Sequence, residues 1–112
     1  YHIICEFRTT LADQHLNNNQ KTALYRITQE AMTNARLHGK ASSITVELHE
    51  TNEAIQLYVI DDGKGFNRQE ITTRQMGLIG MEESCRSLGG TFTISSEAGE
   101  GTIIAAVIPK KQ

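Results

Sequence analysis

Two glycines follow closely on the end of an apolar strand in the segment VIDDGKGF, residues 59–66. Glycine loses more conformational freedom on folding than any other residue, so Gly-Lys-Gly directly after a strand indicates a positive φ or a close approach of the backbone to another group. A hairpin turn with charged residues for solubility explains this segment equally well. The rest of the chain must distinguish a turn from a binding loop.

Length and charge narrow the classes of protein that this chain can belong to. Its 112 residues are enough for one domain, 1–112, that buries a core without disulfides. The net charge is -2 with acids and bases intermixed, which predicts binding neither to nucleic acid nor directly to a membrane. Cys5 and Cys85 lie in apolar patterns without metal-ligand spacing, so we expect buried, reduced thiols in a cytoplasmic protein. The first residue, Tyr1, favours a fragment of a longer protein.

Apolar spacing predicts a strand over 3–7 and a long helix that begins near Gln20. Asn17, Asn18 and Asn19 are candidate N-caps for this helix, and Gly39 is its candidate C-cap. The helix should bury one apolar face, which consists of Leu24, Ile27, Ala31, Met32, Ala35 and Leu37.

The second half of the chain is predicted to contain two strands, a helix and two more strands. Residues 43–50 and 54–61 alternate between apolar and polar, which predicts a hairpin with its turn at 51–53. After a polar stretch at 67–75, interpreted as a mobile loop, residues 77–90 have helical spacing, and 91–96 and 101–109 are predicted strands. The last strand is apolar on both faces, as in a sheet interior. This order predicts an α/β two-layer sandwich with helices on one face of a mixed sheet.

Two features of this layout suit a phosphate ligand and a metal ion. Gly77 to Gly80 open a helix, and the amide hydrogens at a helix N-terminus bind anions. Glu30 and Asn34 lie four residues apart on the first helix, with His38 one turn further, and such oxygens are ligands that Mg²⁺ prefers. A solvated helix face is the commoner explanation of that pair. The GxGxxG and P-loop signatures of other nucleotide folds are absent from the sequence.

Four motifs taken together carry a family resemblance. QEAMTNARLH, DDGKGF, GLIGM and GEGT, in this order and spacing, resemble the nucleotide-binding domain of the GHKL ATPase superfamily. The chain is most similar to the catalytic ATP-binding domain of bacterial sensor histidine kinases, in particular the nitrate-sensor-like group. The resemblance extends from about Leu24 onward and implies a Bergerat-type ATP-binding fold.

The resemblance also implies roles for single residues. Asn34 would bind Mg²⁺, Glu30 would act catalytically on a proton near the γ-phosphate, and Asp61 would accept a hydrogen bond from the adenine amino group. The other residues implied in ATP binding are His38, Gly63, Gly65, Gly77, Leu78, Gly80 and Thr102.

The resemblance thus implies a domain that binds Mg-ATP and donates the γ-phosphate to a histidine. That histidine would lie on a separate dimerisation and phosphotransfer domain of the parent protein, with a response regulator downstream. His49, in the sequence ELHE, lies in an alternating strand and is not expected to be the acceptor. An anti-sigma-type serine kinase of the same superfamily and a non-catalytic partner-binding module remain as alternatives.

Overall fold

The computed structural model describes residues 3–10, 16–65 and 77–111. Within these residues the elements follow the predicted order of strands and helices. They are β1 (Ile4–Thr9), α1 (Asn18–Leu37), β2 (Ser43–Glu50), β3 (Ala54–Asp61), α2 (Leu78–Arg86), β4 (Thr91–Ser96) and β5 (Thr102–Pro109). The predicted mobile loop at 67–75 lies outside the described residues.

The strands form one mixed sheet in the order β1-β2-β3-β5-β4. β1 pairs with β2 in parallel, and the other neighbours are antiparallel. β5 lies between β3 and β4, which confirms that the strand with two apolar faces is inside the sheet. Both helices pack on the same face, so the predicted two-layer α/β architecture is confirmed.

The core lies between the helices and one face of the sheet. Alternate residues of β2, β3 and β5 point toward the helices, as the period of two along a strand requires. The buried apolar residues of α1 recur at helical spacing and pack on this face. The largest apolar side chains that are fully buried are Ile27, Ile44, Ile55, Leu57, Met81 and Ile108.

The N-terminus of α1 is fixed to the end of β5 by one buried glutamine. The Asn17 side chain accepts a hydrogen bond from the Gln20 amide at 2.7 Å, and the Gln20 side chain accepts one from the Asn17 amide at 2.9 Å. This capping box satisfies two amide hydrogens at the helix start. Gln20 Nε2 also donates to the carbonyls of Pro109 at 3.0 Å and Lys110 at 3.2 Å. The first turn of α1 is therefore fixed relative to the sheet.

The C-terminus of α1 differs in detail from the prediction. His38 is the C-cap, and Gly39 follows it with its amide bonded to the Asn34 carbonyl at 2.9 Å. In the turn after this helix, the positive φ that usually falls on the glycine falls on Lys40, at 52°. A non-glycine residue in this conformation brings its Cβ close to the backbone, at a cost of roughly 1–2 kcal/mol.

Two predicted core residues are exposed. Cys5 lies on the edge strand β1, and all six residues of that strand are exposed, so the prediction of a buried thiol holds for Cys85 alone. Leu37 is 54% exposed because it lies in the last turn of α1, away from the stripe that contacts the sheet. Among the described residues, neither helix has both the length and the apolar character needed to cross a membrane.

Lys40→Gly is expected to stabilise the domain. Glycine adopts the positive φ without strain, although its greater freedom in the unfolded chain offsets part of the gain, so the free energy of unfolding should rise by about 0.5–1 kcal/mol. Thermal or urea unfolding measures the change. Lys40→Ala is the matched control, because it removes the same charge but keeps a Cβ. Equal stabilities of the two variants would contradict a cost at this φ.

Candidate functional site

A cavity of about 180 Å³ lies between α1 and the ends of β3 and β5. Apolar side chains and polar groups both line it, a composition typical of small-molecule sites. Its lining residues are Ala31, Asn34, His38, Gly39, Asp61, Lys64, Gly65, Ile94, Thr102 and Ile104. Five of the residues predicted from the sequence are thereby brought together at one end of the sheet.

Asp61 is the carboxylate of this cavity. Burial raises its pKa above the ordinary 3.8, the hydrogen bond from the Gly63 amide opposes the rise, and the charge of Asp62 adds to it. The Gly63 amide donates to Asp61 Oδ1 at 2.8 Å and so fixes the orientation of the carboxylate. Asp61 is therefore a partly dehydrated acceptor, ready to take a hydrogen bond from a ligand.

Thr102 on β5 is paired with Asp61 on the neighbouring strand β3, and it presents an acceptor to the same cavity. Its Oγ1 lies 2.8 Å from Ser96 Oγ, and Ser96 Oγ donates to the Gly101 carbonyl at 3.0 Å. A serine hydroxyl has a single hydrogen, so the Thr102 hydroxyl donates to Ser96. The lone pairs of Thr102 Oγ1 remain for a ligand.

The two glycines after β3 are required by close backbone contacts. Gly65 has φ 64°, and a Cβ there would lie 2.1 Å from the Glu97 carbonyl oxygen. A Cβ at Gly63 would lie 2.7 Å from the Gly39 carbonyl oxygen. The Lys64 amide donates to that same Gly39 oxygen at 2.9 Å. The described residues 62–65 do not form a hairpin turn but pack against the loop after α1 and the loop before β5.

A second cavity, of about 330 Å³, lies further along α1 at the start of α2. Glu30 lines it with an exposed side chain, and a Cβ added at Gly77 would lie 2.6 Å from Glu30 Oε2. Gly77 is the N-cap of α2 at φ 67° and has no side chain with which to bind the first amides of the helix. This helix end is therefore suited to an anionic ligand. Gly80 lines the same cavity, in open space.

The predicted site residues thus fall into four places. Asn34, His38, Asp61, Gly65 and Thr102 line the first cavity. Glu30, Gly77 and Gly80 line the second. Gly63 is buried against the loop after α1, and Leu78 lies in the hydrophobic core. Their roles toward a ligand stay predictions.

Nine of the lining residues were not predicted as site residues, and three of them add chemistry to the cavities. Ile94 and Ile104 form apolar walls of the first cavity, and both alternate toward the helices along their strands. Arg26 lines the second cavity and lies one helical turn before Glu30. The helical spacing of Arg26 and Glu30 was a signal that could have identified this cation.

The described residues suit a magnesium ion that a ligand helps to hold. They contain no cluster of three histidine, cysteine or acidic side chains that could bind a metal alone. Mg²⁺ takes few protein ligands and completes its shell with waters and phosphate oxygens. Asn34, which is 6% exposed and lines the first cavity, fits such an incomplete site, with Glu30 one turn earlier on α1.

Comparison with known proteins gives a family match over most of the chain. Residues 19–112 match the family described as histidine kinase-, DNA gyrase B-, and HSP90-like ATPase. The signal transduction histidine-protein kinase/phosphatase DegS of Bacillus subtilis is 39% identical over 100 residues, 87% of this chain and 26% of DegS. The sensor histidine kinase LiaS of the same species is 36% identical over 99 residues, 88% of this chain and 28% of LiaS. The chain spans about a quarter of the length of these relatives.

A solved structure has the same fold. The blue-light activated histidine kinase EL346 of Erythrobacter litoralis superimposes with a TM-score of 0.78 at 21% identity. The match covers all of this chain and 36% of that one.

The adjacent carboxylates are expected to give opposite dependences of stability on pH. Burial raises the pKa of Asp61, so this group destabilises the fold as pH rises from 3.8 through its folded-state pKa. Hydrogen bonds from Ser43 and Ser42 lower the pKa of Asp62, so its contribution is present above 3.8 and lost as pH falls through its folded-state pKa.

Asp61→Asn should therefore gain stability relative to the unaltered chain as pH rises above 3.8, and Asp62→Asn should lose relative stability as pH rises toward 3.8. Urea unfolding at several pH values between about 3 and 6 measures both slopes. Each variant serves as the control for the other, and slopes of the same sign would contradict the assignment.

Proposed function

Because the chain belongs to the family of histidine kinase-, DNA gyrase B-, and HSP90-like ATPases, we propose that it is the ATP-binding catalytic domain of a sensor histidine kinase. The observation that carries the proposal is the pair of cavities along α1. One contains a half-buried acceptor pair at Asp61 and Thr102, and the other contains a carboxylate beside a helix N-terminus. A nucleotide needs both environments, one for its base and one for its phosphates.

In this proposal the adenine occupies the first cavity. The amino group of adenine is a donor, and Asp61 and Thr102 both offer acceptors there. Ile94 and Ile104 supply apolar surface for the planar ring. Guanine has a carbonyl oxygen where adenine has the amino group, so it would meet the Asp61 carboxylate with an acceptor. This mismatch supports selectivity for adenine.

The phosphates extend along α1 toward the N-terminus of α2. The amides that begin α2 stabilise their charge, and Gly77, Gly80 and the main chain at Leu78 permit close approach. Arg26 adds a cation in the same cavity. When bound, Mg²⁺ neutralises phosphate charge, and Asn34 would be its protein ligand.

In this proposal Glu30 acts as the general base. Its exposed carboxylate lies beside Gly77, at a surface that a second domain can approach. During transfer a bond forms between an imidazole nitrogen of the acceptor histidine and the γ-phosphorus, and the bond from that phosphorus to the ADP oxygen breaks. Glu30 accepts the proton that the imidazole loses. Positioning and charge neutralisation supply most of the remaining catalysis.

The partners follow from this chemistry. The acceptor histidine belongs to a dimerisation and phosphotransfer domain of the parent protein, and a response regulator takes the phosphoryl group from it. The domain acts in the cytoplasm, where ATP is available, and the nitrate-sensor-like group remains our subgroup prediction. His49 lies within β2, one residue before its end, and its ring nitrogen is 2.8 Å from the Glu47 carboxylate, which supports its exclusion as acceptor. The serine kinase and non-catalytic alternatives are not favoured, since the relatives are named as histidine kinases.

Titration calorimetry with ATP and GTP, with and without Mg²⁺, tests nucleotide binding. ATP should bind and GTP should not. In Asn34→Ala the ratio of ATP affinities with and without Mg²⁺ should fall toward one while adenosine affinity stays within about twofold, because the lost oxygen faces the ion and not the base. Asn19→Ala, an exposed asparagine on the same helix, is the matched control. Equal weakening of ATP and adenosine would make Asn34 structural.

Phosphoryl transfer to the parent's dimerisation domain, supplied in trans with radiolabelled ATP, tests the activity. Glu30→Gln should slow the transfer by roughly 100-fold or more and change ATP affinity little, because a general base acts mainly in the transition state. Glu83→Gln, an exposed carboxylate on α2, should transfer at the unaltered rate. Label appearing on a serine of a partner would favour the serine kinase alternative, and label on His49 would contradict the proposed acceptor.

A further inference from the structure

Asp62 binds the main chain at the start of β2. Its Oδ1 accepts hydrogen bonds from the Ser42 amide at 2.8 Å and the Ser43 amide at 2.9 Å. Its Oδ2 accepts from Ser42 Oγ at 3.3 Å, and its own amide donates to the Ser43 carbonyl at 3.3 Å. One exposed carboxylate therefore joins the end of β3 to the start of β2, beyond the last residue pair of their ladder, Ile44 with Asp61.

The segment that Asp62 holds continues into the wall of the first cavity. Gly39 and His38, which line that cavity, lie three and four residues before Ser42. The Gly39 carbonyl accepts the hydrogen bond from the Lys64 amide at 2.9 Å, on the other side of Asp62 in the chain. Asp62 and this main-chain bond thus fix the same two loops to each other at neighbouring points.

Asp62 acts from outside the cavity. Successive side chains of a strand point to opposite faces, so Asp61 enters the cavity and Asp62 lies behind it, where it does not line the cavity. The hydrogen bonds from Ser43 and Ser42 hold the pKa of Asp62 below its usual value, so the ionised form is the one that the loop binds.

We propose that Asp62 is a positioning residue for the nucleotide: by binding the Ser42 and Ser43 amides it holds Gly39 against Lys64 and so sets the width of the cavity at Asp61. This inference rests on the proposed function. It assigns the two acids of one dipeptide different tasks, since Asp61 contacts the base and Asp62 keeps the opposite wall in place. The contribution concerns the binding of the base and leaves the phosphoryl transfer step unchanged.

The test compares three variants of this chain. Asp62→Ala removes the acceptor oxygens and should raise the Kd for ATP and for adenosine equally, by about tenfold. Asp62→Asn keeps one oxygen that can accept from both amides and should restore both Kd values to within about twofold. Glu53→Ala, an exposed acid in the hairpin turn between β2 and β3, is the control and should bind as the unaltered chain does.

Two further measurements separate positioning from a general loss of structure. With saturating ATP, the rate of transfer to the parent's dimerisation domain should be the same in Asp62→Ala and the unaltered chain, so that KM changes and kcat does not. Amide hydrogen exchange at Ser42, Ser43 and Lys64 should be fastest in Asp62→Ala and intermediate in Asp62→Asn, whose neutral oxygen is a weaker acceptor than the carboxylate. If Asp62→Ala does not fold, Asp62→Glu, which keeps the charge but displaces the carboxylate, replaces it with the same expectations.

The outcomes for the inference and for the proposed function differ. ATP binding that is equal in Asp62→Ala and the unaltered chain, or no recovery in Asp62→Asn, overturns the positioning role and leaves the proposed function intact. Failure of the unaltered chain to bind ATP overturns the proposed function and with it any role in nucleotide binding. Unchanged hydrogen exchange of the Lys64 amide in Asp62→Ala would show that Asp62 does not hold the loop in place, whether or not the unaltered chain binds ATP.

Discussion

The contact between two stretches of main chain, one after α1 and one after β3, is the constraint on which the candidate site depends. Lys64 donates its amide hydrogen to the Gly39 carbonyl, and Gly63 lies so close to that oxygen that no side chain fits. The contact places the end of a helix beside the end of a strand. A residue on α1, such as Asn34, and a residue on β3, such as Asp61, can then line one cavity.

The neighbouring acids Asp61 and Asp62 illustrate how a strand gives similar residues different environments. Alternation turns one carboxylate toward the cavity, where dehydration raises its pKa, and the other toward amide hydrogens, which lower its pKa. The ionised Asp61 therefore lowers the free energy of unfolding when no ligand is bound, in keeping with a site shaped for binding. Asp62 offsets part of this loss by stabilising the loop behind the site.

The local part of the fold was predictable from the sequence and the long-range part was not. Alternation over 43–61 and the cap at Asn17 are local signals, and the strands, hairpin and helix that they predict are present. The exposure of Cys5 depends on β1 being an edge strand, and the exposure of Leu37 depends on where α1 leaves the sheet. Neither position is encoded in the residues nearby, which is also why Ile94 was not assigned to the cavity.

For the site, the glycine pattern and the spacing of Glu30 and Asn34 along one helix could be recognised in the sequence, because each depends on the geometry of a single element. The positive φ at Lys40 was not, since glycine is the residue that usually marks this conformation and Gly39 stands next to it. The partition of the predicted residues between two cavities also required the structure. It depends on where the ends of the strands and the start of α2 each lie along α1, which no single motif specifies.

The edge strand β1 has a consequence for how the domain avoids unwanted association. None of its six residues is buried, so its detachment from β2 requires little free energy and is a local opening that leaves the core intact. Such an opening uncovers the hydrogen-bonding edge of β2, which could template a strand from another molecule. Glu47 on β2, and Glu6 and Arg8 on β1, place charges along this edge in both states. Charged side chains at a sheet edge oppose intermolecular strand pairing, so this exposed edge is also protected against aggregation.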